Sequence, residues 1–130
     1  MITEALWTIL KEQHGSVYEA SLKGLIDQLS IDMKRKDINF VIGRLSDYSM
    51  KNPNWVAVRQ AQVAVAEASL RGAWVDTDDL NDGLNKKGEE IKNDLHCSVE
   101  GFKTHGKSFA EKAIALIQNE SNKTIDSDKK

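Results

Sequence analysis

Apolar residues recur along the first half of the chain with spacings that separate helices from strands. Between 17 and 34 they fall three or four residues apart, which predicts an amphipathic helix. This stripe consists of Tyr18, Leu22, Leu25, Ile26, Leu29 and Met33. Residues 38–45 form a short continuous apolar run, which predicts a strand buried on both faces, as in parallel sheets. Segment 2–10 fits either a strand or a helix start, and we interpret it as a strand.

The middle of the chain repeats this order of strand, loop and helix. Pro53 suits a first helical turn after Asn52 as the N-cap. The small and apolar positions between 55 and 70 then predict a second helix with a narrow face. Residues 73–77 follow Gly72 and predict another strand. From 78 to 95 the sequence is polar without any period, so we expect a long surface loop.

A last helix begins after Ser98, which is placed as an N-cap, with Glu100 in the first turn where the helix dipole favours a negative charge. Its apolar positions at helical spacing predict a face that packs inward. They are Phe102, Phe109, Ala113, Leu116 and Ile117. Residues 1–119 are therefore expected to form one domain, and residues 120–130 a polar tail.

The alternation of strands and helices predicts an α/β fold with a parallel sheet. Ligands of such sheets gather at the carboxyl ends of the strands. Three polar segments follow predicted strands at that end: Ser46-Asp47, Asp78-Asp79 and the loop that carries His96. We expect these segments to converge on one site.

Composition narrows the functional classes. At 130 residues with a net charge of -2, the chain shows no basic excess that would favour nucleic acid. No single-sign run favours a membrane surface, and no apolar run approaches the roughly 18 residues of a membrane span. The N-terminus lacks the pattern of a signal peptide, so the default expectation is a cytoplasmic protein. One cysteine, Cys97, excludes an internal disulfide, and we interpret it as a small filler.

Four short motifs give the chain a resemblance to a known family. They are Asn39-Phe40-Val41-Ile42-Gly43, Val58-Arg59-Gln60-Ala61-Gln62, Val75-Asp76-Thr77-Asp78-Asp79-Leu80, and a final block with His96, Glu100-Gly101, Gly106 and Phe109-Ala110-Glu111. Their types and order are similar to the carbohydrate and sialate O-acetylesterases, a branch of the SGNH hydrolases. The resemblance implies a three-layer sandwich with a parallel sheet, a flavodoxin-like SGNH-hydrolase half domain. It also implies an acetylated carbohydrate as substrate.

The resemblance makes His96 the general base of an esterase, but the residues around it depart from the family pattern. Asn93 stands where the family has the acidic residue, and Asp94 lies one place late. Cys97 stands where an aromatic residue is usual. In the serine-protease triad, an amide in place of the acid favours the wrong imidazole tautomer and costs about 10⁴-fold in rate. Asn93 therefore predicts a weakened triad unless Asp94 substitutes.

The family's other catalytic parts do not occur in these 130 residues. The nucleophilic serine belongs to a G-D-S or G-Q-S motif, and neither is found. The oxyanion segment expected after Trp7 lacks its Q-G-E. The resemblance therefore implies a truncated esterase that is inactive alone. The alternative is a non-catalytic α/β module. In this case the predicted strand at 2–10 leaves an open edge of the sheet, where the chain self-associates or pairs with a partner chain. A third possibility is a separate polypeptide that supplies the serine half.

Other candidate residues carry weaker signals. Trp55 and Asp79 are the candidate substrate contacts, with Trp55 as a possible platform for carbohydrate stacking. Arg59 and Gln62 share a helix face and are expected to hold neighbouring loops by hydrogen bonds. The acidic residues from 76 to 82 are expected to be a solvated loop rather than a cation site.

No motif for a metal ion, a nucleotide or another cofactor stands out, so none is expected. His14 and His105 are interpreted as surface residues.

Overall fold

A computed structural model describes residues 15–127. The strand predicted at 2–10 and His14 lie outside this range. The elements in chain order are helix α1 (Gly15–Asp32), strand β1 (Phe40–Gly43), helix α2 (Pro53–Glu67), strand β2 (Gly72–Val75), strands β3 (Gly83–Leu84) and β4 (Glu90–Ile91), and helix α3 (Val99–Ser127). Short 3₁₀ turns at Asp47–Ser49 and Asp78–Leu80 follow β1 and β2.

Strands β1 and β2 pair in parallel, with Phe40 opposite Gly72 and Gly43 opposite Val75. Helices α2 and α3 cover opposite faces of this pair. A side chain at Gly72 would collide with the carbonyl of Ala66 in α2, whereas one at Gly43 would meet His105 and Phe109 of α3. The fold is α/β with a parallel sheet, as predicted, and is compatible with part of an SGNH-like domain. Within residues 15–127 the parallel sheet has two strands, which does not confirm the full three-layer sandwich that the resemblance implies.

Helix α2 supplies most of the core because its start is fixed and its inner face is small. The side chain of Asn52 accepts hydrogen bonds from the backbone N–H groups of Asn54 and Trp55, and Pro53 occupies the first turn, both as predicted. The buried apolar side chains are Trp55, Val58, Ala61, Val65 and Ala66 of α2, together with Val75, Leu80 and Leu116. Small residues let the helix lie close to the strands.

Helix α1 packs on α2, and only part of its predicted stripe is covered. Tyr18, Leu22 and Ile26 are half-buried. Leu25 and Met33 are each 57% exposed, so their predicted burial is wrong within the described residues. The reason is geometric, because a helix resting on a single neighbour buries a narrower stripe than one lying on a sheet.

Helix α3 is longer than its apolar period suggests, and its backbone runs to Ser127, into the segment predicted as a polar tail. Its N-cap is confirmed, since the N–H of Gly101 donates to Oγ of Ser98 at 3.0 Å. Phe102 and Ile117 were expected to pack inward but are 62% and 58% exposed. Among the described residues, α3 contacts β1, β2, β3 and the turn at Asp78–Leu80, and these contacts leave both side chains mostly in solvent.

The polar stretch 78–95, predicted as a long surface loop, contains the antiparallel pair β3 and β4. The side chain of Asn85 builds their turn, because its Oδ1 accepts the N–H groups of Lys87 and Glu89, each at 2.9 Å. Two-residue strands have no detectable period, so only the folded chain reveals this hairpin. Among the described residues, no helix is both long enough and apolar enough to cross a bilayer.

Gly101 is required where α3 meets the turn after β2. A Cβ at this position would collide with the carbonyl of Leu80. Gly101→Ala is therefore expected to destabilise the protein by about 1–3 kcal/mol. Gly106→Ala, in open space in the same helix, should instead stabilise it by about 0.5–1 kcal/mol. Denaturant unfolding of both variants measures the difference, and equal effects would contradict the close approach.

Candidate active site

The loop that carries His96 is attached to the carboxyl end of the sheet. The N–H of Ser98 donates to the carbonyl of Leu80 at 2.8 Å, and the N–H of Asp94 donates to the carbonyl of Asn81 at 3.3 Å. Leu80 closes the 3₁₀ turn that follows β2. The side chain of His96 is exposed to solvent at this rim. His96 therefore lies where the sequence predicts it, and its role as a base stays a prediction.

The side chain of Asn81 joins the three loops that were expected to converge. Asn81 is 1% exposed. Its Nδ2 donates to Oδ1 of Asp47 at 2.8 Å and to the carbonyl of Asp94 at 2.9 Å. Asp47 follows β1, Asn81 follows β2, and Asp94 precedes His96. Sequence reasoning missed Asn81, because one asparagine among many polar residues gives no signal before its burial is known.

Neither Asp94 nor Asn93, which stands at the acid position of the triad, orients the imidazole. Oδ1 of Asp94 accepts the backbone N–H of His96 at 2.9 Å, so this carboxylate shapes the loop. Asn93 is exposed, has a φ of +46°, and its backbone N–H donates to Oδ1 of Asp82 at 2.7 Å. Within residues 15–127, no hydrogen bond joins the ring of His96 to Asn93 or Asp94. The described conformation brings these three residues together in one loop without assembling a triad.

A cavity of about 730 Å³ opens beside His96. This volume lies within the usual range of small-molecule sites, roughly 300–1,000 Å³. Three segments line this cavity. The β3–β4 hairpin and its turn contribute Asn85, Lys86, Lys87 and Ile91. The His96 loop contributes Asp94, His96 and Cys97, and the first turn of α3 contributes Val99 and Phe102.

Neither predicted substrate contact lines this cavity. The side chain of Trp55 is fully buried, and its Nε1 donates to the carbonyl of Ser46 at 2.8 Å. Its ring also meets Tyr48 edge-on, with 6.1 Å between centroids. Trp55 therefore has no free face for a sugar, and its role is packing. Asp79 is exposed in the turn after β2, outside the cavity wall.

Arg59 and Gln62 hold the loops at the sheet rim, as predicted. The guanidinium of Arg59 donates to both carboxylate oxygens of Asp78 at 2.8 and 3.0 Å, and also to the carbonyl of Leu45. Oε1 of Gln62 accepts the N–H of Leu45 at 2.8 Å. The hydrogen bonds from Arg59 lower the pKa of Asp78, and Arg44 adds to the effect. Asp78 is therefore a loop anchor, which corrects its interpretation as a solvated acid.

Burial shifts the pKa values of two further groups, Cys97 and His105. Burial raises the pKa of the Cys97 thiol, so this thiol stays protonated at neutral pH and is a poor nucleophile. His105, predicted to lie on the surface, is half-buried with its ring 4.8 Å from that of Phe109. Gly43 leaves room for this ring against β1. Burial lowers the pKa of His105, which favours the neutral imidazole.

The profile of a family described as carbohydrate esterase, sialic acid-specific acetylesterase matches residues 9–115 of this chain. The chain belongs to this family. No curated protein and no solved structure gives a significant match. For a member of the carbohydrate esterase family, the His96 cavity at the sheet rim is the natural candidate for the active site. Among residues 15–127, no group of three or more potential metal ligands is placed to hold an ion.

In this member of the carbohydrate esterase family, Asp78→Asn tests the loop anchor. Since a third of the Asp78 side chain is exposed, solvent weakens its bonds to Arg59, and we expect a loss of about 1–2 kcal/mol at neutral pH. The matched variant Asp79→Asn, at an exposed neighbour, should change stability by less than about 0.5 kcal/mol.

The effect of Asp78→Asn depends on pH with a defined sign. The folded-state pKa of Asp78 is lowered, so its contribution is complete above the unfolded value of about 3.9 and is lost as pH falls through the lower folded value. Denaturant unfolding at several pH values should show the two proteins converging below about pH 4. A constant difference across that range would contradict the ion pair.

Proposed function

We propose that this chain supplies the histidine-bearing half of a carbohydrate O-acetylesterase site, with His96 as the general base. The observation that supports this most is the position of His96, an exposed imidazole on the wall of a cavity of about 730 Å³ in a chain of this esterase family. A general base of this kind takes the proton of an attacking hydroxyl and returns it to the leaving sugar oxygen.

The nucleophile is the missing part. No G-D-S or G-Q-S motif occurs in the 130 residues. Ser98, two residues after His96, is 2% exposed, and its hydroxyl is engaged by the carbonyl of Leu80 and the N–H of Gly101. Burial raises the pKa of the Cys97 thiol, which disfavours the reactive thiolate. We therefore propose that these residues alone do not turn over acetyl esters, and that a serine from elsewhere completes the site.

The position of Asp94 adds a second reason for low activity. Its Oδ1 accepts the backbone N–H of His96. This carboxylate would have to release that N–H before it could orient the imidazole. Without an acid, a triad of this kind loses about 10⁴-fold in rate. A complete site built on this histidine is therefore expected to work well only after the loop has rearranged.

Hydrolysis of p-nitrophenyl acetate tests the proposed inactivity of the isolated chain. The 130-residue chain should show the background rate, and His96→Ala should leave that rate unchanged. His105→Gln is the control, because this second histidine lies against β1 and outside the cavity. A rate above background that is lost in His96→Ala and kept in His105→Gln would contradict the inactivity of the isolated chain.

A second proposal concerns the edges of the sheet. Within residues 15–127 the parallel sheet has two strands, so each has an edge without a neighbouring strand. The N–H groups of Phe40 and Arg44 point to β2, and those of Val41 and Gly43 therefore point to the other edge. Leu25 and Leu29 of α1 add exposed apolar surface, at 57% and 45%. We propose that the chain self-associates, or pairs with a partner chain, through these surfaces.

Sedimentation velocity over a wide concentration range tests self-association. The chain should form dimers or larger species, and Leu25→Glu should weaken them by placing a charge in the apolar patch. Ala20→Glu is the matched control, since it adds the same charge at another exposed position of α1. A monomer at every concentration would contradict self-association. Pairing with a different chain would then be the remaining form of the proposal.

A further inference from the structure

A buried carboxamide oxygen at the sheet rim has no hydrogen-bond partner. The side chain of Asn81 is 1% exposed, and its Oδ1 accepts no hydrogen bond from any residue in the described part of the chain. A buried acceptor without a donor destabilises the fold, because it has lost its hydrogen bonds to water. A catalytic role is among the explanations for such a group in a native protein.

The orientation of this carboxamide is fixed by its other end. Nδ2 of Asn81 donates to Oδ1 of Asp47 at 2.8 Å and to the carbonyl of Asp94 at 2.9 Å. Both partners are acceptors, so exchanging the two ends of the carboxamide would place Oδ1 against two oxygens. The remaining side of Asn81 can therefore offer only an acceptor to a neighbour.

His96 is held between two anchors that both lie next to Asn81. The carbonyl of Asp94, two residues before His96, is bonded to the side chain of Asn81. The N–H of Ser98, two residues after His96, is bonded to the carbonyl of Leu80. Two residues of chain span at most about 7 Å, so the backbone of His96 stays close to the carboxamide. Its ring is exposed and makes no hydrogen bond to residues 15–127, so a ring N–H is free to turn towards Oδ1.

We propose that Asn81 is the positioning residue of His96, with Oδ1 of its carboxamide accepting the Nδ1–H of the imidazole. The inference rests on the proposed function only in making His96 the general base. The bond leaves Nε2 without a proton, and Nε2 then takes the proton of the attacking hydroxyl. To reach Oδ1, the ring turns inward from its exposed position, which is the rearrangement that a complete site requires.

The fixed carboxamide removes the usual fault of an amide in this role. In a serine-protease triad, an amide in place of the acid favours the wrong imidazole tautomer. The NH₂ group of Asn81 is already bonded to Asp47 and Asp94, so only the oxygen is left for the ring. Papain-like proteases orient their histidine with an asparagine in the same way. A neutral oxygen stabilises the imidazolium less than a carboxylate does, so the site should remain slower than one with an acid.

The tautomer of His96 tests this assignment on the intact chain. Long-range proton–nitrogen correlation NMR of the isotopically labelled protein shows which ring nitrogen carries the proton, and His96→Gln assigns the signals. The measurement is made at about pH 8, where an ordinary imidazole is neutral. Free histidine favours the Nε2–H form. The ratio of Nδ1–H to Nε2–H in His96 should be roughly three- to tenfold higher than in free histidine, the effect of one net hydrogen bond.

Three variants separate a direct hydrogen bond from a merely structural role. Asn81→Ala should return the ratio to that of free histidine. Asp47→Ala is the matched control, because it removes a hydrogen bond of Nδ2 but keeps Oδ1, and it should retain most of the shift. Asp94→Asn tests the rival acceptor and should leave the ratio unchanged. His105, whose ring packs against Phe109, is the internal reference and should keep its own ratio throughout.

A wild-type ratio equal to that of free histidine, or a shift that survives in Asn81→Ala, would overturn the assignment. Equal losses in Asn81→Ala and Asp47→Ala would overturn it as well, because the network would then act only by holding the loop. Dispersed amide spectra confirm that each variant keeps its fold, and the wild-type ratio is decisive even if Asn81→Ala does not fold. Because no ester is present, failure here leaves the role of His96 as the base standing.

Discussion

The carbonyl oxygen of Leu80 joins the sheet to the candidate site. It accepts hydrogen bonds from both the N–H and the hydroxyl of Ser98, and Gly101 lets the helix approach it without a side chain between them. This one contact fixes the start of α3 and, with it, the loop that carries His96. Phe102 on the cavity wall lies on the same turn, so the geometry of the whole pocket depends on it.

Around that contact, the polar residues at the sheet rim are used mainly to hold loops. Arg59 and Asp78 connect α2 to the turn after β2, and Asn81 connects Asp47 to the backbone of Asp94. A buried polar network of this kind rigidifies a site when its members are paired. It also explains why so many acidic residues near His96 leave its imidazole without a hydrogen-bonded carboxylate in the described chain. Their oxygens are directed at backbone N–H groups and arginines instead.

The sequence predicted the features that depend on local chemistry. Asn52, Pro53 and Ser98 mark the helix starts correctly, because capping involves residues only two or three positions apart. The parallel pair of strands and the position of His96 followed from the alternation of elements. The burial of Trp55 and Asn81 could not be predicted, since it depends on contacts between distant segments. That Lys86 lies at the same cavity as Phe102 could not be predicted for the same reason, because a hairpin of two-residue strands places Lys86 there.

The chain leaves Leu80 and returns to it eighteen residues later, at Ser98. The segment between them is thus a loop whose two ends meet at a hydrogen bond, and it carries the hairpin, Lys86, Lys87 and His96. Lengthening such a loop adds little closure entropy, roughly 0.6 kcal/mol for each doubling. Insertions or exchanges in this segment can therefore alter the wall of the cavity beside His96 while the strands and helices beneath stay as they are, so the cavity and the fold can diverge independently in evolution.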